Sequence, residues 1–138
     1  NGTENIVKSN PDIFYTSIHQ FPFYPGTGME SSKGDYENVM NVPLPSGCGW
    51  GSYEIALNEK ILPAIKSFNS DLIIISAGFD AHISDPLAGM NLISDDFGKM
   101  TEMMIEIQPK VLFGLEGGYN LNALAESVEV VIDKIIQF

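Results

Sequence analysis

The chain has 138 residues, 44% hydrophobic and 18% charged, with a net charge of −11 and a pI near 4.3. That is enough apolar material for a core and enough length for one domain at most, so a disordered chain is excluded. All seven basic residues are Lys; with neither a basic patch nor an Arg fork, direct nucleic-acid binding is not expected.

No apolar run approaches the roughly 18 residues of a membrane span, so no membrane partner is expected. The longest run, Leu72 to Ala77, is strand-sized. A single Cys, Cys48 between Gly47 and Gly49, excludes an internal disulfide framework and a Cys-rich zinc site. No signal peptide is recognisable, and an intracellular protein of cytoplasm or nucleus is expected rather than a secreted one. The first residue is Asn rather than Met, and a piece of a longer chain is expected.

In chain order, Ile13 to Ile18 reads as a strand, β-branched and aromatic after the breaker Asn10-Pro11. Gln20 to Gly28 holds two Pro and two Gly and must be a shaped loop; its aromatics Phe21, Phe23 and Tyr24 either pack it to the core or wall a slot. Residues 29–38 read as exposed loop. Val39 to Leu44 reads as a short strand ending in prolines. A helix is predicted from Gly51-Ser52 to Phe68, with Tyr53, Ala56, Leu57, Ile61, Ala64, Ile65 and Phe68 at helical spacing and a kink or boundary at Pro63. Asp71 to Ala77 is apolar on both faces, as in a parallel strand covered on both sides. Ser94 reads as an N-cap, and Phe97, Met100, Met103, Met104 and Ile107 form one face of a helix stopping at Pro109. Val111 to Leu115 is a second buried strand. A last helix, capped by Asn120 or Asn122, carries Leu121, Leu124, Ala125, Val128, Val131, Ile132 and Ile135 as its apolar stripe.

This alternation predicts an α/β fold, a parallel sheet with helices on both faces. Chemistry in such sheets sits beyond the carboxyl ends of the strands. After Ala77 comes Gly78-Phe79-Asp80-Ala81-His82 and then Asp85-Pro86-Leu87; Asp80 at that rim either holds a cation or caps a turn. After Leu115 comes Glu116-Gly117-Gly118-Tyr119-Asn120. Its glycines let the backbone pass close to a ligand, and the Tyr119 phenol, protonated at neutral pH, can donate to an oxyanion; the alternative is a plain turn with a surface Tyr. His19 after Ile18 reads as structural. Gly26-Thr27-Gly28 lacks the third Gly of a dinucleotide fingerprint. A phosphate loop, a Gly-x-Ser-x-Gly elbow and a His-Glu-x-x-His helix are all missing.

The block Ser76 to Ala88, S-A-G-F-D-A-H-I-S-D-P-L-A, resembles the signature of the zinc-dependent histone deacetylase family, in its class II and bacterial deacetylase-like branch. Leu115-Glu116-Gly117-Gly118-Tyr119-Asn120-Leu121 resembles that family's tyrosine motif. Ser17-Ile18-His19-Gln20 with Phe23-Tyr24-Pro25-Gly26-Thr27-Gly28 resembles the strand and loop after its metal-binding histidine segment, and Asn1-Gly2-Thr3 resembles that segment's tail.

The resemblance implies an arginase/deacetylase-type sheet, incomplete at its N-terminal side, with residues 1–138 forming the C-terminal portion of a single deacetylase domain. It implies that Asp80 is one of three protein ligands to a catalytic Zn2+ and that Tyr119 stabilises the oxyanion. Tyr24, where the family usually has Phe, walls the acetyl-lysine tunnel with Phe23 and Gly118, and Leu87 sits at its rim. Ser17 and the carbonyl of Ile18 help bind a structural K+. The implied reaction is hydrolysis of an N-acetyl amide, in an acetylated protein or a small acetylated amine. An acetylpolyamine amidohydrolase and a non-catalytic acetyl-lysine-binding scaffold are the alternatives. The family's upstream Asp-x-Asp-x-His-His-Gly segment does not occur in this sequence. The 138 residues alone are therefore expected to bind zinc weakly, to lack activity, and to expose a sheet edge.

Overall fold

A computed structural model describes all 138 residues. The elements in order are α1 (Gly2–Val7), β1 (Tyr15–Gln20), β2 (Val39–Leu44), α2 (Trp50–Ala56), a π-helical stretch (Leu57–Ile61), α3 (Leu62–Phe68), β3 (Ile73–Ala77), α4 (Ser94–Ile107), β4 (Val111–Leu115) and α5 (Leu121–Gln137).

The strands are parallel, as the α/β reading requires, but they pair as two separate ladders, β1 with β2 and β3 with β4. The expected cover on both faces is also not met at β3–β4. Ile73, Ala77 and Phe113 pack into the helices, whereas Ile74, Ser76 and Leu112 turn outward and are exposed. Strand side chains alternate between faces, and over this ladder one face is packed while the other is open. Apolar composition on both faces is thus not matched by burial.

The long helix is divided rather than continuous. Pro63 has no N–H to give the preceding turn. The chain widens into the π-helical stretch Leu57–Ile61 and resumes as α3, ending at Asn69 in left-handed geometry. Leu57, Ile61, Leu62 and Ile65 from this stretch join Val42 and Ala56 in one core cluster, closed by Met100, Met103, Met104 and Ile107 of α4. A second cluster gathers Tyr53, Phe79, Met90, Leu92, Phe97 and Val131 behind the loop after β3.

Two caps differ from expectation. Ser94 is the first residue of α4 rather than its cap. Asp96 Oδ2 instead accepts the Ile93 N–H at 3.0 Å, the half of a capping box that a carboxylate supplies. Asn120 caps α5, accepting from the N–H groups of Asn122 and Ala123. The α5 stripe is met in part: Leu124, Val128 and Val131 pack into the second cluster beside the buried Ala123 and Ser127, while Leu121, Ala125, Ile132 and Ile135 are exposed.

The segment before β2 is not the plain exposed loop expected over 29–38. Asn38 is buried, and its Nδ2 donates toward the carbonyls of Val7, Asn10 and Ile13 at 3.0, 3.0 and 2.9 Å. One side chain so joins α1, the turn after it and the start of β2.

Candidate active site

The register of β3 on β4 runs from Ile73 opposite Val111 to Ala77 opposite Leu115, so both strands end level. The loops starting at Gly78 and Glu116 therefore leave side by side. Their backbones bond at once: Glu116 N–H donates to Ala77 O at 3.0 Å and Phe79 N–H to Gly117 O at 2.9 Å. The loop from Asp80 to Leu92 also reaches the ends of β1 and β2. Gly89 N–H donates to Gln20 Oε1 at 2.8 Å, Ser46 Oγ donates to Gly89 O at 2.9 Å, and Asn91 N–H donates to Cys48 O at 2.8 Å. The carboxyl ends of all four strands thus share one rim.

Asp80 sits on that rim, half-buried. A Cβ added to Gly117 would lie 2.5 Å from Asp80 Oδ2, so the carboxylate packs directly on the Gly117 backbone. Burial first, and then the negative charge of Asp85, raise its carboxyl above the ordinary range; its own backbone N–H acts the other way. No protein cation pairs with it, since the ion pairs of the chain join Lys60 to Glu30, Lys99 to Asp96 and Lys134 to Glu102. A half-buried carboxylate with no cation beside it suits a metal donor. The donor set stops there: no three His, Cys, Asp or Glu side chains gather into a group able to hold a metal ion. Asp80 fits zinc as one donor, and these residues do not complete a site.

Gly118 has φ +137°, which suits Gly, and a Cβ there would meet Leu124 at 3.1 Å and Phe79 at 3.2 Å. The chain then presents Tyr119 with 56% of its surface exposed. Phe23, Tyr24 and Leu87 are likewise exposed, Tyr24 to 89%. Exposure on this side agrees with the rim position of the loops. The peptide bonds Phe21-Pro22 and Tyr24-Pro25 are cis.

Neither His is free to act as a ligand or base. His19 Nε2 donates to Gly28 O at 2.9 Å, which leaves Nδ1 to accept the Ser17 hydroxyl at 3.0 Å. His82 is buried; its Nδ1 accepts the Ser84 N–H at 3.0 Å and its Nε2 faces Ser94 Oγ at 3.3 Å. Ser17 gives its proton to His19, and its oxygen also lies within hydrogen-bonding reach of the Tyr15 phenol. Asn41, opposite Ser17 in the β1–β2 register, is buried with neither amide atom bonded, which leaves unsatisfied polar capacity beside Ser17.

The residue that sequence reasoning passed over is Asp85. Its Oδ1 accepts the N–H of Leu87 at 2.9 Å and of Ala88 at 3.3 Å, and its Oδ2 accepts the N–H of Tyr119 at 2.8 Å. The local half was legible, because Asp before Pro is a turn-starting pair whose carboxylate bonds two residues on. The bond to Tyr119, 34 residues away, was not.

Comparison with known proteins agrees with this geometry. The family model "Histone deacetylase domain" matches residues 1–135. An uncharacterized protein of Synechocystis is 52% identical over 128 residues, covering 93% of this chain and 42% of that protein. Histone deacetylase 10, chloroplastic, of Oryza sativa is 40% identical, over 93% of this chain and 31% of its own length. Among solved structures, the HDA15 HD domain superposes with a TM-score of 0.95 at 36% identity, covering 99% of this chain and 41% of that one. The histone deacetylase Clr3 gives 0.95 at 31% identity, over 99% of this chain and 25% of its own. The chain thus spans less than half the length of the relatives it matches. Its parallel strands and helices are those of the arginase/deacetylase-like α/β fold over this stretch. By family model, relatives and fold together, the chain belongs to the histone deacetylase domain family.

Proposed function

We propose that the protein carrying this chain hydrolyses an N-acetyl amide, acetyl-lysine in histones or other proteins, at a zinc centre to which Asp80 contributes one ligand. The observation that carries the reading is the contact of the Asp80 carboxylate with Gly117, two residues from Tyr119. A metal donor and a phenolic proton donor then leave one rim from adjoining loops.

Residues 1–138 form, in this reading, the C-terminal portion of a single deacetylase domain, with the remaining zinc ligands and the general base supplied from outside them. Taken alone, the stretch binds zinc weakly and does not turn over. Zinc, when bound, supplies an activated water and a Lewis acid for the acetamide carbonyl. Tyr119 donates its phenolic proton in a hydrogen bond to the carbonyl oxygen as negative charge gathers there, and Gly118 sets the backbone that aims it. Phe23, Tyr24 and Leu87 line the path of the substrate's aliphatic chain and hold water away from it. Ser17 and the Ile18 carbonyl hold a structural K+, supported by the unbonded side-chain amide of Asn41 opposite Ser17.

An intracellular site goes with this reading, and the chloroplastic designation of the Oryza sativa relative makes the plastid a compartment to test beside cytoplasm and nucleus.

The test compares the full-length protein and its Asp80→Asn variant for bound zinc and for turnover of a fluorogenic acetyl-lysine peptide, with N-acetylputrescine as second substrate. Zinc and peptide turnover lost together in the variant support the reading. Turnover of the polyamine alone assigns the small-amine specificity, and zinc-independent binding of the acetylated peptide without turnover assigns a scaffold.

A further inference from the structure

Asp85 has no chemical role above, yet it bonds the Tyr119 backbone to the loop that carries Asp80. Its side chain is only 9% exposed. Both oxygens are engaged: one closes the turn Asp85-Pro86-Leu87-Ala88, and the other accepts the Tyr119 N–H at 2.8 Å. A second stitch runs beside it, from Asn120 Nδ2 to Ser84 O at 3.0 Å. A buried carboxylate accepting backbone N–H groups makes charge-assisted bonds, about twice as strong as neutral ones. Its removal leaves the part-buried N–H groups of Leu87, Ala88 and Tyr119 without this partner.

We infer that Asp85 is a positioning residue for the amide-hydrolysing reaction: it fixes the backbone of Tyr119, and hence the reach of its phenol, to the same loop that carries Asp80 and Leu87. This rests on the role proposed for Tyr119. The carboxylate acts in two places because it has two acceptors. Asn, its isostere, has one acceptor and one donor group, so it can serve the Leu87 turn or the Tyr119 N–H but not both. A backbone shift of about 1 Å at Tyr119 is enough to cost about 10²-fold in rate.

The experiment is a double-mutant cycle in the full-length, zinc-loaded protein, with Asp85→Asn, Tyr119→Phe and both together, reading kcat, KM and bound zinc on an acetyl-lysine peptide. Asp85→Asn is expected to lower kcat by about 10- to 100-fold with zinc content unchanged, bounded by the about 10²–10³-fold that loss of an oxyanion donor costs. In the Tyr119→Phe background the same change is expected to cost little more, because the phenol it positions is gone. Losses that multiply, or a folded Asp85→Asn protein with full kcat, overturn the inference and leave the Tyr119 role standing. Full turnover in Tyr119→Phe alone overturns the Tyr119 role itself, and the coupling with it. If Asp85→Asn does not fold, amide exchange in the unaltered protein decides. Strong protection of the Tyr119 N–H supports the bond to Asp85, and exchange as fast as an open loop overturns it.

Discussion

The Asp80 carboxylate rests on the backbone of Gly117, with Oδ2 only 2.5 Å from where a Cβ would stand. Residue 117 can therefore be nothing larger than Gly unless Asp80 moves. Gly117→Ala is expected to push the carboxylate off its position while leaving its chemistry intact. Zinc affinity of the full-length protein should fall by about 10-fold or more, the scale seen when groups that orient a ligand are altered. Competition with a chelator measures this, and unchanged affinity would show that Asp80 holds no metal from this position.

The loop bearing Phe23 and Tyr24 is tied down by His19, whose ring bonds Ser17 on one side and the Gly28 carbonyl on the other. His19→Ala removes both bonds and is expected to destabilise by about 1–3 kcal/mol, from about 0.5–1.5 for each. Because the loop is proposed to line the substrate path, KM should rise several-fold with kcat maintained. Gly28→Ala should do more harm, since φ is +84° there and a Cβ would stand 2.5 Å from His19 Nε2. Steady-state kinetics beside urea denaturation checks both. A fall in kcat at constant KM would place His19 in the chemistry instead.

Tyr53 is buried, and burial first, then the charges of Asp80 and Cys48, push its phenol well above the usual range. Tyr15 shifts in the same direction, with burial again the largest cause. As pH passes about 10 the unfolded chain gives up these protons while the native state keeps them. The native state then binds more protons, so stability falls as pH rises above about 10. Burial is the larger cause, so the sign does not depend on what Asp80 binds. Denaturation midpoints measured across pH 9 to 12 (about the usual phenol range) should decline more gently in Tyr53→Phe. Parallel profiles would mean that Tyr53 ionises freely.

The exposed face of β3–β4 carries Ile74 and Leu112, and α5 adds Leu121 and Ile136 to the apolar surface. Unpartnered strand edges and large apolar patches favour self-association. The 138-residue chain produced by itself is expected to associate at micromolar concentration, and Ile74→Thr with Leu112→Thr to reduce that association. Light scattering decides, and a monodisperse monomer with no response to the double change would contradict it.

Element type was legible wherever a periodic pattern met a strong breaker. Val39–Leu44 matches its predicted span because the pattern ends in prolines, and Val111–Leu115 because Pro109 precedes it. β1 starts at Tyr15 rather than Ile13, since the Ile13 N–H closes the turn onto Asn10 O and pairing toward β2 begins with the Tyr15 N–H on Asn38 O. α1 was missed: six residues show no periodicity, and its distant ties, Val7 O to Asn38 and the Lys8 cap carbonyl to the Asp35 N–H, cannot be read locally. For α5, apolar residues on two faces left the pattern unable to say which face is covered. Asp80 and Tyr119 stand out as candidates because each follows a strand end that is identifiable in sequence. Their contact through Gly117 and Asp85 depends on register and on bonds across more than 30 residues, which no local signal encodes.

The most direct test of the amide-hydrolysing account is kcat of Tyr119→Phe in the full-length protein on an acetyl-lysine peptide, with zinc content measured on the same sample. The account predicts a fall of about 10²–10³-fold at unchanged zinc. Turnover equal to that of the unaltered protein would contradict it.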